Sequence, residues 1–323
     1  MDAMIRTGID LGGSKIEIAS FGEDGSLLLR ERVATPQGDY AGTVAAIVAL
    51  VAQAEAKVMS LPARDGIHPD GARGTVGIGI PGAEARLTGR IKNANSTCLI
   101  GKPLKHDLEA ALGREVRLAN DANCFALSEA VDGAGAGAAV VFGVILGTGV
   151  GGGIVVDGRV LSGANAIAGE WGHNPLAGEH HKDVCYCGRK GCIELYLSGP
   201  GMSADHRRVT GAVRVDTVPG AVAQGHNFSA DEIVRRAAAG DSDCEATLQR
   251  YEARLARALG GVINILDPDA IVLGGGLSNI DRLYENVPRL LAAHVFSDHV
   301  ATRLLKHRHG DSSGVRGAAW LWP

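Results

Sequence analysis

The sequence predicts an α/β protein that contains an internal duplication. Near the N-terminus, GIDLGGSKIEIASF has apolar residues on both sides of a glycine turn, and an Asp24-Gly25 turn follows it. From residue 141, VFGVILGTGVGGGIVVDGRV repeats this order of strand, glycine turn, strand and Asp-Gly turn. Stretches with helical spacing lie between such strands. Alternating strands and helices are typical of an α/β fold.

The elements between the two repeats follow from local patterns. Residues 41–59 are rich in Ala and Val and predict a helix, whereas GTVGIGI at 74–80 predicts a strand. A short helix is predicted over 105–112, and the strand VRLAN stops at Asn120-Asp121. Because ANCFALSEAVDG then has helical spacing, Asn120 or Asp121 is expected at a helix N-terminus.

The C-terminal part continues the alternation of helix and strand. SADE at 229–232 is a capping box, which opens a helical region that continues with breaks to about residue 265. DPDAIVLGGGLS predicts a buried strand, a glycine turn and a helix. The charge-free segment 134–156 is long enough to cross a bilayer, but eight of its residues are glycine, which favours two strands over a membrane helix.

The composition is that of an ordinary globular protein. The chain has 323 residues, 46% hydrophobic residues and a formal net charge of -4, so no basic surface for nucleic acid is indicated. Of the six cysteines, only Cys185, Cys187 and Cys192 cluster. The N-terminus has no signal-peptide pattern, so this distribution favours a reducing cytoplasm and a metal site over disulfides.

Three glycine-bearing turns follow strands and predict a nucleotide site. Glycine lets main-chain N–H groups approach phosphate oxygens, and small hydroxyls add donors. One such turn is more often a tight hairpin, but two of these three are related by the repeat. Asp10, at the end of the first strand, is a candidate ligand for Mg²⁺ or else a turn former. The residues expected around the nucleotide are Asp10, Gly12, Gly13, Ser14, Lys15, Gly147, Thr148, Gly149, Gly274, Gly275 and Gly276.

In order along the chain, DLGGSK, GIGIPG, LANDAN, GTGVGGG, GEWGH, CYCGRKGCIE and LGGG resemble the ROK family of bacterial sugar kinases. The resemblance covers nearly the whole chain. KNANST, NDANC, GHNPL and the ending HGDSSGVRGAAWLWP resemble its fructokinase (mannofructokinase) branch most.

The resemblance implies the duplicated actin-like ATPase fold, which is ribonuclease H-like, with two lobes around a central cleft. One lobe would comprise residues 1–121 with a C-terminal helix at 314–323, and the other, residues 122–313, would carry the cysteine loop. ATP, Mg²⁺ and a hexose are the implied ligands. Homodimers are common in the family, but the sequence does not decide the oligomeric state.

Asp121 is the predicted general base. Phosphoryl transfer needs a group that accepts the proton of the attacking hydroxyl, and a helix N-terminus favours an ionised carboxylate. Capping of the helix is the commoner role of Asn and Asp at such a position. The resemblance decides for catalysis, because the base of the family occupies the aspartate of NDAN.

A hexose pocket needs polar side chains of mixed kind, since each hydroxyl both donates and accepts. The family places sugar contacts at motif positions that correspond here to Asn120, Asp121, Glu170, His173 and Glu194. Asn95 is the candidate sugar contact in KNANST, a loop that departs from the PNLPGW form of related glucokinases. Asn93 has a turn cap as its alternative role.

Cys185, Cys187 and Cys192 supply three thiolates in a short loop, and one imidazole would complete a closed tetrahedral zinc site. Such a site leaves no position for water and is structural. His173 is preferred as the fourth ligand because GEWGH matches the family ligand; its second ring nitrogen is then expected to face the sugar. His180 and His181 compete by proximity, and a redox role for the cysteines is the other alternative.

The predicted reaction is ATP-dependent phosphorylation of a hexose, with D-fructose to fructose 6-phosphate as the first choice. Kinases for N-acetylglucosamine, glucose or mannose are alternatives within the family, because a kinase fold does not identify its sugar. From another class, the family includes DNA-binding repressors that sense sugars. Asp10 and Asp121 together favour an enzyme over a non-catalytic sensor.

Overall fold

A computed structural model of the chain describes residues 5–61, 73–179, 183–217 and 227–322. The strands are β1 (Arg6–Leu11), β2 (Lys15–Phe21), β3 (Leu27–Ala34), β4 (Thr75–Ile80), β5 (Ala83–Glu84), β6 (Ile91–Lys92), β7 (Val116–Asn120), β8 (Val140–Leu146), β9 (Val150–Val156), β10 (Arg159–Val160), β11 (Ala270–Gly274) and β12 (Arg303–Lys306). The helices are α1 (Tyr40–Met59), α2 (Leu104–Leu112), α3 (Asp121–Val131), α4 (Glu194–Leu197), α5 (Gly199–Thr217), α6 (Ala230–Ala238), α7 (Ser242–Leu266), α8 (Leu283–Leu291) and α9 (Ser313–Ala319).

Two five-stranded sheets repeat the same topology. The first has the order β3-β2-β1-β4-β7, and the second has the order β10-β9-β8-β11-β12. In the first, β1 pairs antiparallel with β2 and parallel with β4. In the second, β11 pairs parallel with both β8 and β12. The duplication predicted from the glycine turns is therefore confirmed in strand order as well as in sequence.

The segment that is long enough to cross a bilayer consists mostly of β8 and β9, which confirms the prediction of strands there. Among the described helices, only α1 has the length and apolar composition of a membrane span. Its buried residues Ile47, Leu50 and Val51 belong to the same hydrophobic cluster as Ile9 and Ile18 of the first sheet. Helix α1 therefore forms part of a core, where burial of apolar surface stabilises it.

The described chain divides into two compact units. Unit 1 consists of the described parts of Met1–Gly137, Gly153–Ala168 and Arg308–Pro323, and unit 2 of those of Ala138–Gly152 and Gly169–His307. The change from unit 2 to unit 1 at Gly152–Gly153 lies within β9. The division of the sequence into lobes near residue 121 stays a prediction.

Within unit 1, α9 lies very close to the first sheet and to α3. A Cβ atom added at Gly8 would lie 1.9 Å from the carbonyl oxygen of Val315, and one at Gly77 would lie 1.8 Å from that of Ala318. Real Cβ atoms do not approach an oxygen this closely, so only glycine fits at these strand positions. The glycines let α9 pack on β4 and on β1, the strand that carries Asp10.

Candidate active site and metal centre

In unit 1, the first glycine turn joins β1 to β2 as a hairpin. The Gly12 amide donates to the carbonyl of Lys15 at 3.0 Å, and the hydroxyl of Thr35 donates to the carbonyl of Gly12 at 2.8 Å. Gly13, Ser14 and Lys15 are exposed. The hairpin is thus held by a bond within its own backbone and by the side chain of Thr35, while its tip stays open, as a phosphate-binding turn requires.

Asp10 is the second-last residue of β1, next to this hairpin, and is half-buried. Burial, followed by the charges of Asp121 and Glu17, raises the pKa of Asp10 to about 6, while Lys15 and Arg32 lower it. The two carboxylates that the sequence singled out therefore lie close enough to interact in unit 1. A cation between Asp10 and phosphate oxygens would favour the ionised form, because opposite charge lowers a carboxyl pKa.

Asn120 and Asp121 start α3, which confirms their predicted place at a helix N-terminus. The Ala122 amide donates to Asn120 Oδ1 at 2.9 Å and to Asp121 Oδ1 at 2.8 Å. Asn120 is the N-cap, and its Nδ2 donates to the carbonyl of Gly82 at 3.2 Å. The capping role considered for this pair thus applies to Asn120, whereas the side chain of Asp121 remains exposed to solvent.

The electrostatic environment of Asp121 has two opposing parts. Desolvation by the surrounding protein raises the pKa of its carboxyl, and the Ala122 amide and Asn120 lower it. An accessible carboxylate that is held by one backbone N–H and partly desolvated has the properties of a general base.

The KNANST loop lies beside the first glycine turn. A Cβ atom at Gly13 would lie 3.7 Å from Ser96 Oγ. Asn93 has a left-handed backbone with φ 54°, which suits its alternative role in a turn, and Asn95 is exposed. The loop is thus near the proposed phosphate turn, while the contact of Asn95 with a sugar stays a prediction.

In unit 2, the other two glycine turns are neighbours. Gly147 and Gly149 form a hairpin between β8 and β9, with the Gly147 amide donating to the carbonyl of Gly149 at 3.0 Å. A Cβ atom at Gly275 would lie 2.4 Å from the carbonyl oxygen of Leu146, and its φ is +80°. Thr148, Gly275 and Gly276 are exposed. Tertiary structure therefore brings together turns that are more than a hundred residues apart in the sequence.

The segment with Glu170 and His173 is anchored by Trp171. The indole of Trp171 is buried, donates to the carbonyl of Gly151 at 3.0 Å and packs edge-on against Phe142 with ring centroids 5.6 Å apart. Glu170 is exposed at the start of the 3-10 turn Trp171–His173. A hydrophobic anchor thus holds two polar residues that the sequence assigned to the sugar site.

The four predicted metal ligands converge in unit 2. One ligand atom from each of His173, Cys185, Cys187 and Cys192 lies within 4.8 Å of all the others. Cys185 Sγ is 3.7 Å from His173 Nδ1, and the Sγ atoms of Cys187 and Cys192 are 3.6 Å apart. Tetrahedral zinc with bonds of about 2.3 Å to sulfur separates two thiolates by about 3.8 Å. The donor types and spacing fit zinc, with Nδ1 as the histidine ligand.

The cysteines of this cluster are free thiols and not a disulfide. Burial raises the pKa of Cys192 to about 12, so the thiol would stay protonated unless a cation compensates; zinc binding releases such protons. His180 and His181, the competing ligands, lie outside the described residues.

Two residues that were not predicted from the sequence, one in each unit, lie next to predicted site residues. Tyr186 Oη is 3.0 Å from His173 Nε2, so this side chain stands next to the nitrogen that was expected to face the sugar. Gly314, at the start of α9, faces Asp10: a Cβ atom there would lie 3.2 Å from Asp10 Oδ2. An aromatic residue between two cysteines was a visible signal for Tyr186; no local pattern indicated Gly314.

Comparison with known proteins identifies the family of the chain. The model of the ROK family matches residues 6–323. The chain belongs to the ROK family. It therefore has the actin-like ATPase fold of that family, as the resemblance implied, and the sugar-kinase class predicted from its motifs is supported.

Similar proteins and structures cover nearly the whole chain. An N-acetyl-D-glucosamine kinase of Erwinia tasmaniensis is 43% identical over 97% of this chain and 98% of its own, and one of Photobacterium profundum is 40% identical over 97% and 98%. The ROK hexokinase of Thermus thermophilus superposes with a TM-score of 0.81 at 30% identity, covering 98% of this chain and 97% of that one. These relatives support the N-acetylglucosamine alternative, and the fructokinase branch is not confirmed.

Proposed function

We propose that this protein transfers the γ-phosphoryl group of ATP to the 6-hydroxyl of N-acetyl-D-glucosamine. The observation that carries the choice of sugar is the 43% identity, over 97% of the chain, to a relative named for this reaction class. The primary 6-hydroxyl is the least hindered acceptor of the sugar. N-acetylglucosamine replaces fructose as the substrate proposed from the motifs.

Asp121 serves as the general base in this proposal. Its exposed carboxylate takes the proton of the 6-hydroxyl as the new O–P bond forms and the bond to the leaving ADP breaks. The Ala122 amide, 2.8 Å from Oδ1, fixes the orientation of the carboxylate. The positive end of the α3 dipole favours the ionised form that accepts the proton.

The glycine turns bind the nucleotide in this proposal. The backbone around Gly12 and Gly13, with Ser14 and Lys15, takes one set of phosphate oxygens in unit 1. The turns at Gly147–Gly149 and Gly274–Gly276, which are neighbours within unit 2, take the rest of ATP. Asp10 would hold Mg²⁺, directly or through water. When bound, Mg²⁺ neutralises charge on the phosphates.

The zinc cluster has a structural role in this proposal. Three thiolates and one imidazole would fill the coordination sphere, so the metal takes no part in phosphoryl transfer. Its effect is to fix the loop that ends at Glu194. Glu170 and Glu194, with Asn95 and Asn120, are the residues proposed to bind the hydroxyls of the sugar. His173 would act on the sugar through Tyr186, because its Nε2 lies 3.0 Å from Tyr186 Oη.

We place the enzyme in the cytoplasm, where ATP is present and thiols stay reduced; the cysteines of the described chain are unpaired. A homodimer stays a prediction.

Rates of ADP release with N-acetylglucosamine, glucose, mannose and fructose test the proposed function. We expect the highest kcat/KM for N-acetylglucosamine. A higher kcat/KM for fructose or glucose would overturn the choice of sugar, and no turnover with any hexose would overturn the kinase reaction.

A further inference from the structure

Tyr186 is a large aromatic side chain that is exposed to solvent on a hydrogen-bonded turn. Its side chain is 76% exposed, although both neighbours, Cys185 and Cys187, belong to the metal cluster. The Gly188 amide donates to the carbonyl of Cys185 at 2.9 Å, which closes the turn around the tyrosine. Single exposed apolar residues are common and need no explanation. The contacts of Tyr186 therefore decide whether its exposure indicates a function.

The phenol of Tyr186 is tied to His173. The two rings meet edge to face with centroids 5.2 Å apart, and Oη lies 3.0 Å from Nε2. His173 Nδ1 faces the sulfur cluster, so when it ligates a metal the ring proton resides on Nε2 and is donated to Oη. The phenol then accepts from His173 and keeps its own proton to donate. In the described part of the chain, no acceptor takes that proton.

The two carboxylates proposed to bind the sugar, those of Glu170 and Glu194, lie near Tyr186 in unit 2. Both are close enough to the phenol to interact with it electrostatically.

These groups differ in what they can recognise. The carboxylates of Glu170 and Glu194 only accept hydrogen bonds, so they suit the hydroxyl donors of a hexose. An acetamido group carries a carbonyl oxygen, which needs a donor, and a methyl group, which needs an apolar surface. Tyr186 offers both, with an O–H donor beside an exposed aromatic ring.

We propose that Tyr186 determines specificity for an acetamido hexose: its hydroxyl donates to the acetamido carbonyl oxygen, and its ring packs against the methyl group. The inference rests on the proposed function and adds to it the residue that distinguishes N-acetylglucosamine from glucose. Tyr186 touches only the substituent and has no part in the transfer of the phosphoryl group.

The test compares Tyr186→Phe and Tyr186→Ala with the wild type. Calorimetry gives dissociation constants for N-acetylglucosamine and glucose, steady-state kinetics gives kcat and KM, and elemental analysis gives zinc content. We expect Tyr186→Phe to weaken N-acetylglucosamine binding about fivefold to tenfold relative to glucose, with kcat within about twofold, because one neutral hydrogen bond is lost. Tyr186→Ala should weaken it further. Tyr40→Phe, which removes a hydroxyl bonded to Asp107 in unit 1, is the matched control.

The outcomes separate three cases. If the wild type prefers N-acetylglucosamine and Tyr186→Phe weakens both sugars equally or neither, the inference is wrong while the proposed function stands. Equal weakening together with lower zinc content would show that the phenol only supports His173. If the wild type does not prefer N-acetylglucosamine to glucose, the proposed substrate fails and the acetamido contact fails with it.

Discussion

The carboxylate of Glu194 accepts a hydrogen bond from the Val150 amide at 2.9 Å, and its other oxygen lies 3.9 Å from Cys185 Sγ. Val150 begins the strand that follows the Gly147–Gly149 turn. One side chain thus joins the metal loop to the second glycine turn within unit 2. The loop predicted to hold a structural metal is therefore placed to orient a residue proposed to bind the sugar, beside a turn proposed to bind phosphate.

Gly149→Ala should displace the carboxylate of Glu194 from the Val150 amide. A Cβ atom at Gly149 would lie 2.7 Å from Glu194 Oε2, so the carboxylate has to move. We expect the KM for the sugar to rise about tenfold, because a misplaced carboxylate loses its hydrogen bonds to the substrate. Gly261→Ala, in α7 with no atom within 4 Å of the new Cβ, is the control. It should leave KM unchanged and raise thermal stability slightly.

Asp121→Asn should retain sugar binding and lose turnover. The amide keeps the shape and the place at the start of α3, but it cannot accept the proton of the hydroxyl. We expect kcat to fall by a factor of about 10² to 10⁴, with the dissociation constant of the sugar within about threefold. Asp298→Asn, at a side chain that is 93% exposed, controls for loss of one negative charge. Near-normal turnover of Asp121→Asn would eliminate its role as base.

Cys187→Ser should lower zinc content and thermal stability together. Serine is a poor zinc ligand, and the binding free energy of a structural metal contributes to folding. Sugar affinity should fall in parallel, because Glu194 follows the loop directly. Elemental analysis, thermal unfolding and calorimetry check the three effects. Cys98→Ser, outside the cluster, is the control. Full sugar affinity in a metal-free variant would contradict the structural role of the cluster.

Asp10→Asn should change the pH dependence of stability. The pKa of Asp10 is raised from 3.8 to about 6, so between about pH 4 and pH 6 the folded chain holds a proton that the unfolded chain has lost. This carboxyl therefore lowers the free energy of unfolding as pH rises through that window. At pH 7 the variant should gain up to about 3 kcal/mol over the wild type, and the gain should vanish below about pH 4. Urea unfolding at pH 7 and below pH 4 measures the difference in the free energy of unfolding between the variant and the wild type. A difference that is the same at both pH values would contradict the raised pKa of Asp10.

Gly317→Ala should destabilise unit 1. A Cβ atom there would lie 1.7 Å from the carbonyl oxygen of Cys124, so α9 and α3 would have to separate. We expect a loss of at least about 3 kcal/mol, as overpacking against backbone cannot be relieved by a side-chain rotation. Thermal unfolding measures it, with Gly261→Ala again as the control. A wild-type melting temperature would show that α9 can shift without cost.

Much of the fold was predictable because its signals are local. The repeat of strand, glycine turn and strand, the start of α3 at Asn120-Asp121 and the cap of α6 by Ser229 each depend on residues within a few positions of one another. Helix α5 was not predicted, because its first turn contains Gly199, Pro200 and Gly201, which are typical of a loop. The metal ligands were predictable as a set, since three of them lie in one short loop.

The sequence by itself determined the family, the two related glycine hairpins and the cysteine cluster, because residues that are close together in the sequence specify both the turns and the metal ligands. Only the tertiary structure decided that Tyr186 stands against His173, that Glu194 binds the amide of Val150 44 residues away, and that Gly314 faces Asp10. Such contacts depend on strand register and on the close packing of helices against sheets. No local pattern specifies which distant segments these bring together.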